Sequence, residues 1–119
     1  MKNISIVIPT YNEQDYLLNL LESIGKINYP LSKYEVIVVS DGSTDGTPDV
    51  IKDSYPTVKV IDLNNNVGRY QARKIGANAA KFDNILFIDT RTLVDQNILK
   101  TINQTNYKAI NGVVESGNP

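Results

Sequence analysis

The stretch V-I-V-V-S-D-G-S-T-D-G-T, residues 36–47, decides the fold of this chain. Its first four residues are apolar and β-branched, which is typical of a strand buried on both faces, as in a parallel sheet. The strand is predicted to stop at Ser40 and Asp41, where a loop rich in glycine and hydroxyl side chains begins. Asp41 is therefore predicted at the carboxyl end of an interior strand, the edge at which open α/β sheets bind ligands.

The loop after Asp41 allows two interpretations. Thr47 and Pro48 are typical of a helix start, with Thr47 as the N-cap and Pro48 at the first helical position. The loop then fits an ordinary strand-to-helix turn, in which Gly42 and Gly46 supply positive φ angles. It equally fits a ligand-binding loop, and the rest of the chain has to decide between the two.

Outward from this stretch, strand patterns alternate with helix patterns along the whole chain. Such alternation predicts βαβ units and right-handed crossovers. The fold class is therefore α/β, a Rossmann-like three-layer α/β/α domain with a mainly parallel sheet, formed by residues 1–119 as a single domain. The predicted strands are 2–8 (ended by Pro9), 35–40, 58–63, 84–88 and 109–114, and the predicted helices run from an N-cap at Asn12 to a stop at Gly25, then over 48–55, 69–81 and 95–103.

Composition excludes several classes of function. The net charge of −1 argues against a nucleic-acid partner. The absence of cysteine and histidine excludes disulfides, thiolate metal sites, cysteine nucleophiles and a Ser-His-Asp triad. There is no signal-peptide pattern and no apolar run long enough for a transmembrane segment, so we expect a cytoplasmic protein.

The loops that follow the predicted strands share one edge of the sheet and carry several chemically active side chains. No G-x-G-x-x-G follows the first strand and no G-K-[ST] occurs, which argues against a dinucleotide-binding Rossmann domain and excludes a P-loop. Without a glycine-rich cradle, a bound diphosphate needs cationic side chains or a metal ion, and Mg²⁺ or Mn²⁺ would use one or two carboxylates together with the phosphates. The polar and aromatic residues of this edge are Thr10, Tyr11, Asn12, Glu13, Asp41, 64–68, Asp89 and Arg91.

Four motifs occur in order along the chain: S-I-V-I-P-T-Y-N-E (5–13), V-V-S-D-G-S-T-D-G-T (38–47), N-x-G-x-x-x-A-R (66–73) and L-F-I-D (86–89). Each is modest alone, but together they resemble the N-terminal half of a family 2 glycosyltransferase with the GT-A fold. The resemblance covers residues 4 to about 100. It implies a nucleotide-diphospho-sugar donor, with a UDP-sugar favoured, bound at the edge described above.

The resemblance also implies roles for individual residues. Pro9, Thr10 and Tyr11 would line the pocket for the base, with Tyr11 against its face. Glu13 would reach the ribose, and Asp41 would accept a hydrogen bond from the base. Alternatively, Tyr11 anchors its loop and Glu13 interacts with a helix dipole.

Two further positions belong to the N-x-G-x-x-x-A-R motif. Gly68 is assigned to the donor site on this resemblance. Arg73 would lie near the diphosphate or shape the base pocket, or it lies on a solvated helix face, as arginines on helices usually do.

The chain departs from the family pattern at two positions. Ser40 stands where the family often has an aspartate. The D-x-D metal motif reads Asp89-Thr90-Arg91, so a Mg²⁺ or Mn²⁺ ion would be held by Asp89 and the phosphates alone. We hypothesise that Arg91 supplies part of the positive charge that the leaving diphosphate needs. The alternative is that Arg91 points to solvent and the metal site is merely degraded.

The family's acceptor site and general base follow the D-x-D segment. An inverting transfer needs such a base to deprotonate the acceptor hydroxyl. Nothing after Asp95 is a convincing candidate, since Glu115 lies beside a terminus. We therefore expect part of a longer enzyme that acts on a saccharide or lipid-linked glycan, with the acceptor or the missing regions as its route to a peripheral membrane location. The alternatives are a non-catalytic nucleotide-sugar binding or oligomerisation module, a nucleotidyltransferase, and a homo-oligomer paired through a sheet edge.

Overall fold

The computed structural model describes residues 1–104 and the backbone of residues 113–115. The predicted alternation of strands and helices is confirmed. The longest helices have 11 residues, and within residues 1–104 none is long and apolar enough to cross a bilayer. The strands are β1 (Ile4–Thr10), β2 (Tyr34–Asp41), β3 (Lys59–Leu63), β4 (Asn84–Phe87) and β5 (Val113–Glu115), and the helices are α1 (Gln14–Ile24), α2 (Thr47–Ser54), α3 (Arg69–Ala79) and α4 (Ile98–Gln104).

All strand pairs are parallel, in the order β3-β2-β1-β4-β5. The central strand β1 pairs with β2 on one side and β4 on the other, so that Ile6 lies opposite both Val36 and Leu86. The chain first runs outward from β1 to β3 and then crosses back to β4. The strand order therefore reverses between β1 and β4, the position at which α/β sheets open a crevice for ligands. The predicted fifth strand is present at 113–115, while residues 109–112 of that prediction lie outside the described residues.

Helices cover both faces of the sheet, which confirms the three-layer architecture. On one face, α1 buries Leu17 and Leu20 against Ile6 of β1. On the other face, α3 presents the small residues Ala72 and Gly76 and lies close to the sheet. A Cβ atom at Gly76 would collide with Cγ1 of Val7, so this approach requires glycine.

The sequence predicted that β1 ends before Pro9, but the strand continues through Thr10. The strand tolerates Pro9 because the backbone nitrogen of this residue faces the side of β4, beyond the end of the ladder with that strand. The carbonyl of Val7 accepts a hydrogen bond from the Ile88 amide, so it faces β4, and the backbone two residues later faces the same side. The ladder with β4 ends at the pair of Val7 with Phe87. The missing N–H of Pro9 therefore lies where no ladder hydrogen bond is needed.

Two predicted helix caps are wrong. The N-cap of α1 is Glu13 and not Asn12, and no side chain caps this helix. The N-cap of α2 is Gly46 at φ +79°, and Thr47 is already helical. The Thr47 amide instead donates to Oδ1 of Asp45 at 3.1 Å, since an aspartate two residues upstream can mimic a backbone turn.

Candidate donor-binding cleft

Asp41 ends β2 and holds the loop that leads into α3. Its side chain is only 4% exposed. Oδ1 accepts a hydrogen bond from the Val67 amide at 2.7 Å, and Oδ2 accepts one from the Gly68 amide at 3.0 Å. The side chain of Asn66 also donates to the Asp41 carbonyl at 3.2 Å. Both carboxylate oxygens therefore fix the backbone just before the first residue of α3.

Gly42 allows this loop to lie directly on the end of β2. Its φ angle is +76°, a conformation that residues with a side chain rarely adopt. A Cβ atom at this position would lie 2.7 Å from the backbone nitrogen of Asn66. The glycine is required both by its own backbone angle and by the close approach of the second loop.

Asp89 follows β4 and contacts two arginines of α3. Its Oδ1 atom lies 3.5 Å from a terminal nitrogen of Arg73 and 3.8 Å from a terminal nitrogen of Arg69. Arg73 is also held by a cation–π contact, with its guanidinium carbon 5.6 Å from the ring centre of Phe87. The carboxylate that the sequence offered as a metal ligand is thus shared by two cations.

Glu13 connects the loop after β1 to the loop after β4. Its Oε1 accepts a hydrogen bond from the Thr90 hydroxyl at 3.0 Å, and its Oε2 accepts one from Nε of Arg91 at 2.9 Å. The guanidinium carbon of Arg91 lies 4.6 Å from the ring centre of Tyr16. The hydrogen bond to Glu13 raises the pKa of Arg91 above its already high ordinary value, so this side chain is a permanent cation.

Asn12 ties the loop after β1 to the loop after β2. It adopts a left-handed backbone conformation with φ 50°. Its side-chain oxygen accepts a hydrogen bond from the Thr44 amide at 2.7 Å, and its own amide donates to the Ser43 hydroxyl at 3.1 Å. The residue that the sequence offered as a helix cap thus fixes the relative position of two loops at the carboxyl edge.

These loops enclose a cleft of about 490 Å³ at the carboxyl edge of β1 and β2. Clefts of about 440 and 530 Å³ occur elsewhere on the described residues, so location and chemistry rather than size single this one out. Thr10 on its wall is 3% exposed, and within residues 1–104 its hydroxyl has no hydrogen-bond partner. The lining residues are Pro9, Thr10, Tyr11, Glu13, Asp41, Asn66, Gly68, Arg69 and Arg91.

The chain matches the sequence model of a known protein family. The model of the family described as glycosyl transferase family 2 matches residues 5–114. The chain belongs to this family.

Several named glycosyltransferases are similar to this chain in sequence. Residues of this chain are 32% identical to the poly(ribitol-phosphate) β-N-acetylglucosaminyltransferase TarS of Staphylococcus aureus, over 84% of this chain and 18% of TarS. They are 31% identical to the glycosyltransferase AglE of Haloferax volcanii, over 94% of this chain and 39% of AglE. The chain therefore spans well under half the length of these relatives.

Solved structures agree with this assignment and confirm the GT-A fold. The crystal structure of S. aureus TarS residues 1–349 in complex with UDP-GlcNAc superposes with a TM-score of 0.78 at 32% identity, over 87% of this chain and 30% of that one. The mannosyltransferase PcManGT of Pyrobaculum calidifontis, in complex with GDP-Man and Mn²⁺, has a TM-score of 0.75 at 26% identity, over 82% of this chain and 30% of that one.

The fold brings together most of the site residues expected for a family 2 member. Seven of the nine line one cleft, while Asp89 and Arg73 are not on its surface and lie beside it as an ion pair. Of the two further lining residues, Asn66 was predicted at this edge without a role in the site, and Arg69 was not predicted there. The only signal for Arg69 was its position, because a basic residue at the first position of a helix after a strand-end loop faces the ligand edge.

Proposed function

We propose that this chain forms the donor-binding part of a glycosyltransferase that uses a nucleotide-diphospho-sugar, with a UDP-sugar as the first choice. The observation that carries the proposal is the cleft itself. It lies at the carboxyl edge of the sheet, where the loops after β1, β3 and β4 meet the end of β2, and it combines an aromatic wall, a buried carboxylate and two arginines. Those groups match the base and the diphosphate of a nucleotide-sugar.

The base would occupy the end of the cleft between Tyr11 and Asp41. Tyr11 is 49% exposed, so its ring is available for stacking on a base. Each oxygen of Asp41 already accepts one backbone N–H and retains a second lone pair. A uracil ring offers an imide N–H for that lone pair and a carbonyl for the buried hydroxyl of Thr10.

The comparisons favour the same class of donor. The TarS structures were determined with UDP and with UDP-GlcNAc, and PcManGT with GDP-Man. A diphosphate next to such a base would extend toward Arg69 and Arg91, the two arginines that line the cleft. Glu13 was expected to reach the ribose, but both of its carboxylate oxygens already bind Thr90 and Arg91, so this proposal gives it no direct contact with the donor.

The acceptor in this proposal is a saccharide or a lipid-linked glycan. Its hydroxyl would attack the anomeric carbon of the donor sugar while a carboxylate removes the proton. We assign neither the acceptor site nor this base to residues 1–104, whose carboxylates near the cleft are already engaged in the contacts described above.

Titration calorimetry with UDP, UDP-GlcNAc, UDP-glucose, GDP-mannose and dTDP-glucose tests the proposal. We expect the UDP compounds to bind most tightly. Tyr11→Ala should weaken UDP binding about tenfold, because stacking on an aromatic ring contributes about 1–3 kcal/mol per base. The matched control is Tyr70→Ala, which removes a tyrosine that is 76% exposed and does not line the cleft.

Two results would contradict the proposal. One is the absence of binding for all five nucleotides at concentrations of about 1 mM, a threshold that corresponds to about −4 kcal/mol. The other is an equal effect of the Tyr11 and Tyr70 substitutions on UDP affinity.

A further inference from the structure

The second carboxylate of the D-x-D pattern is replaced by Arg91, and the structure shows where that arginine lies. It lines the same cleft as Arg69. Arg69 comes from the first position of α3, and Arg91 comes from the loop after β4. Two arginines from different elements thus line one cleft.

The carboxylates beside this space are engaged by arginines. Asp89 lies within 4 Å of both Arg69 and Arg73, and Glu13 binds Arg91 and Thr90. Within residues 1–104, no three side chains of His, Cys, Asp or Glu lie close enough together to hold a metal ion. A Mg²⁺ or Mn²⁺ ion at Asp89 would lie beside the guanidinium groups of Arg69 and Arg73, which repel it, so the residues present do not fit a divalent cation.

The exchange of aspartate for arginine compensates the missing ion in formal charge. Replacing one carboxylate by one guanidinium adds two positive charges, which is the charge of Mg²⁺ or Mn²⁺. Asp89 with Arg91 is therefore neutral in sum, as two aspartates with a divalent cation would be. Arginine in addition offers paired N–H donors that match the oxygens of a phosphate.

We infer that Arg69 and Arg91 bind the diphosphate of the donor in place of a divalent cation, so that donor binding by this chain does not require a metal. The inference rests on the proposed function, because it assumes that the cleft takes a nucleotide diphosphate. Within residues 1–104, Arg91 donates one hydrogen bond, through Nε to Glu13, so the donors of both terminal NH₂ groups remain for the phosphates. Arg69 lies 3.8 Å from Asp89, beyond hydrogen-bond distance, so its donors are available to a ligand as well.

Glu13 acts in this arrangement as a positioning residue. It binds Nε of Arg91 while the ring of Tyr16 supports the guanidinium plane from one face. Arginine side chains have many rotamers, and fixing one before the ligand arrives lowers the entropic cost of binding. Thr90 holds the other oxygen of Glu13 and so fixes the carboxylate itself.

The first test compares UDP affinity in EDTA with UDP affinity in Mn²⁺ or Mg²⁺. We expect the two dissociation constants to agree within about twofold, a difference of less than 0.5 kcal/mol. Binding of UDP that appears only with the metal would overturn the inference and leave the proposed function intact. Failure of UDP and uridine to bind under every condition would overturn both.

The second test exchanges Arg91 itself. Arg91→Asp removes this guanidinium group, so we expect UDP binding in EDTA to weaken about tenfold or more. Lys74→Asp is the matched control, since it makes the same change of charge at an exposed position of α3 outside the cleft. Uridine, which lacks phosphates, should bind both variants as it binds the wild type. Equal effects of the two substitutions on UDP affinity would overturn the inference.

The third test separates positioning from ribose contact at Glu13. If Glu13 acts by holding Arg91, Glu13→Gln weakens UDP binding several-fold and leaves uridine binding unchanged, because uridine carries the ribose without the phosphates. An equal loss for uridine and UDP would show that Glu13 contacts the ribose instead and would overturn its positioning role.

Discussion

Asp41→Asn tests how much of the cleft depends on one buried carboxylate. The amides of Val67 and Gly68 donate to its two oxygens at 2.7 and 3.0 Å. An asparagine side chain keeps one acceptor, but its NH₂ group then faces the other amide donor. The substitution therefore removes one hydrogen bond to a charged group, which contributes about 1.5–3 kcal/mol. Water cannot easily replace the bond, because the side chain is 4% exposed.

We expect Asp41→Asn to lower the free energy of unfolding by about 2 kcal/mol. For a chain of this size the melting temperature should fall by roughly 8 °C. Urea denaturation followed by circular dichroism measures the free energy of unfolding. Hydrogen exchange measures the local stability of the loop, since the Val67 or Gly68 amide should exchange faster than in the wild type. The control is Asp53→Asn, which removes the same charge from an exposed position in the last turn of α2.

The consequence for binding follows from the position of the loop. The two amides held by Asp41 immediately precede Arg69, so a looser loop displaces the arginine that the diphosphate is proposed to contact. UDP affinity should fall with stability, while Asp53→Asn changes neither. A loss of stability below about 0.5 kcal/mol, the ordinary range for surface substitutions, would refute the reasoning.

Two further predictions concern the packing and the ionisation of the core. Gly76→Ala should lower the free energy of unfolding by about 1–3 kcal/mol, since the new methyl group collides with Val7. Gly25→Ala, at a helix end, should lower it less. Urea denaturation compares the two variants, and an equal loss of stability would contradict the packing argument. Burial raises the pKa of Tyr29, whose hydroxyl donates to the Lys2 carbonyl. The contribution of the protonated Tyr29 to the free energy of unfolding is therefore complete below pH 10 and is lost as the pH rises above it. Thermal melts between about pH 9 and pH 11 should therefore show a flatter decline for Tyr29→Phe than for the wild type, and parallel declines would contradict this cause.

The strands and the layer order were predictable because they depend on short-range patterns. Four β-branched residues before Asp41 can be buried only in an interior strand, and small residues at helical spacing in α3 predict close contact with a sheet. The position of the cleft followed from the rule that parallel strands present their carboxyl ends at one edge. These features need no knowledge of which loops touch.

The contacts between loops were not predictable, because they join residues far apart in sequence. Asn12 fits a helix cap by its type and position, and only the folded chain shows that it binds the Thr44 amide instead. In the same way, nothing in the sequence indicates that Asp89 meets two arginines from α3 or that Glu13 meets Arg91. Pro9 was expected to end β1. That it does not end there depends on the register with β4, which the sequence does not show.

The same contacts explain why the cleft is formed before a ligand arrives. Asn12 joins the loops after β1 and β2, Asp41 joins the end of β2 to the start of α3, and Glu13 joins the loops after β1 and β4. Each of these side chains connects a different pair of segments, so the four segments around the cleft form one connected set. Loops ordered in this way lose little further entropy on binding, so more of the interaction energy with the proposed diphosphate ligand would appear as affinity. This favours direct recognition by arginines, because a guanidinium group binds a phosphate well only when its direction is fixed beforehand.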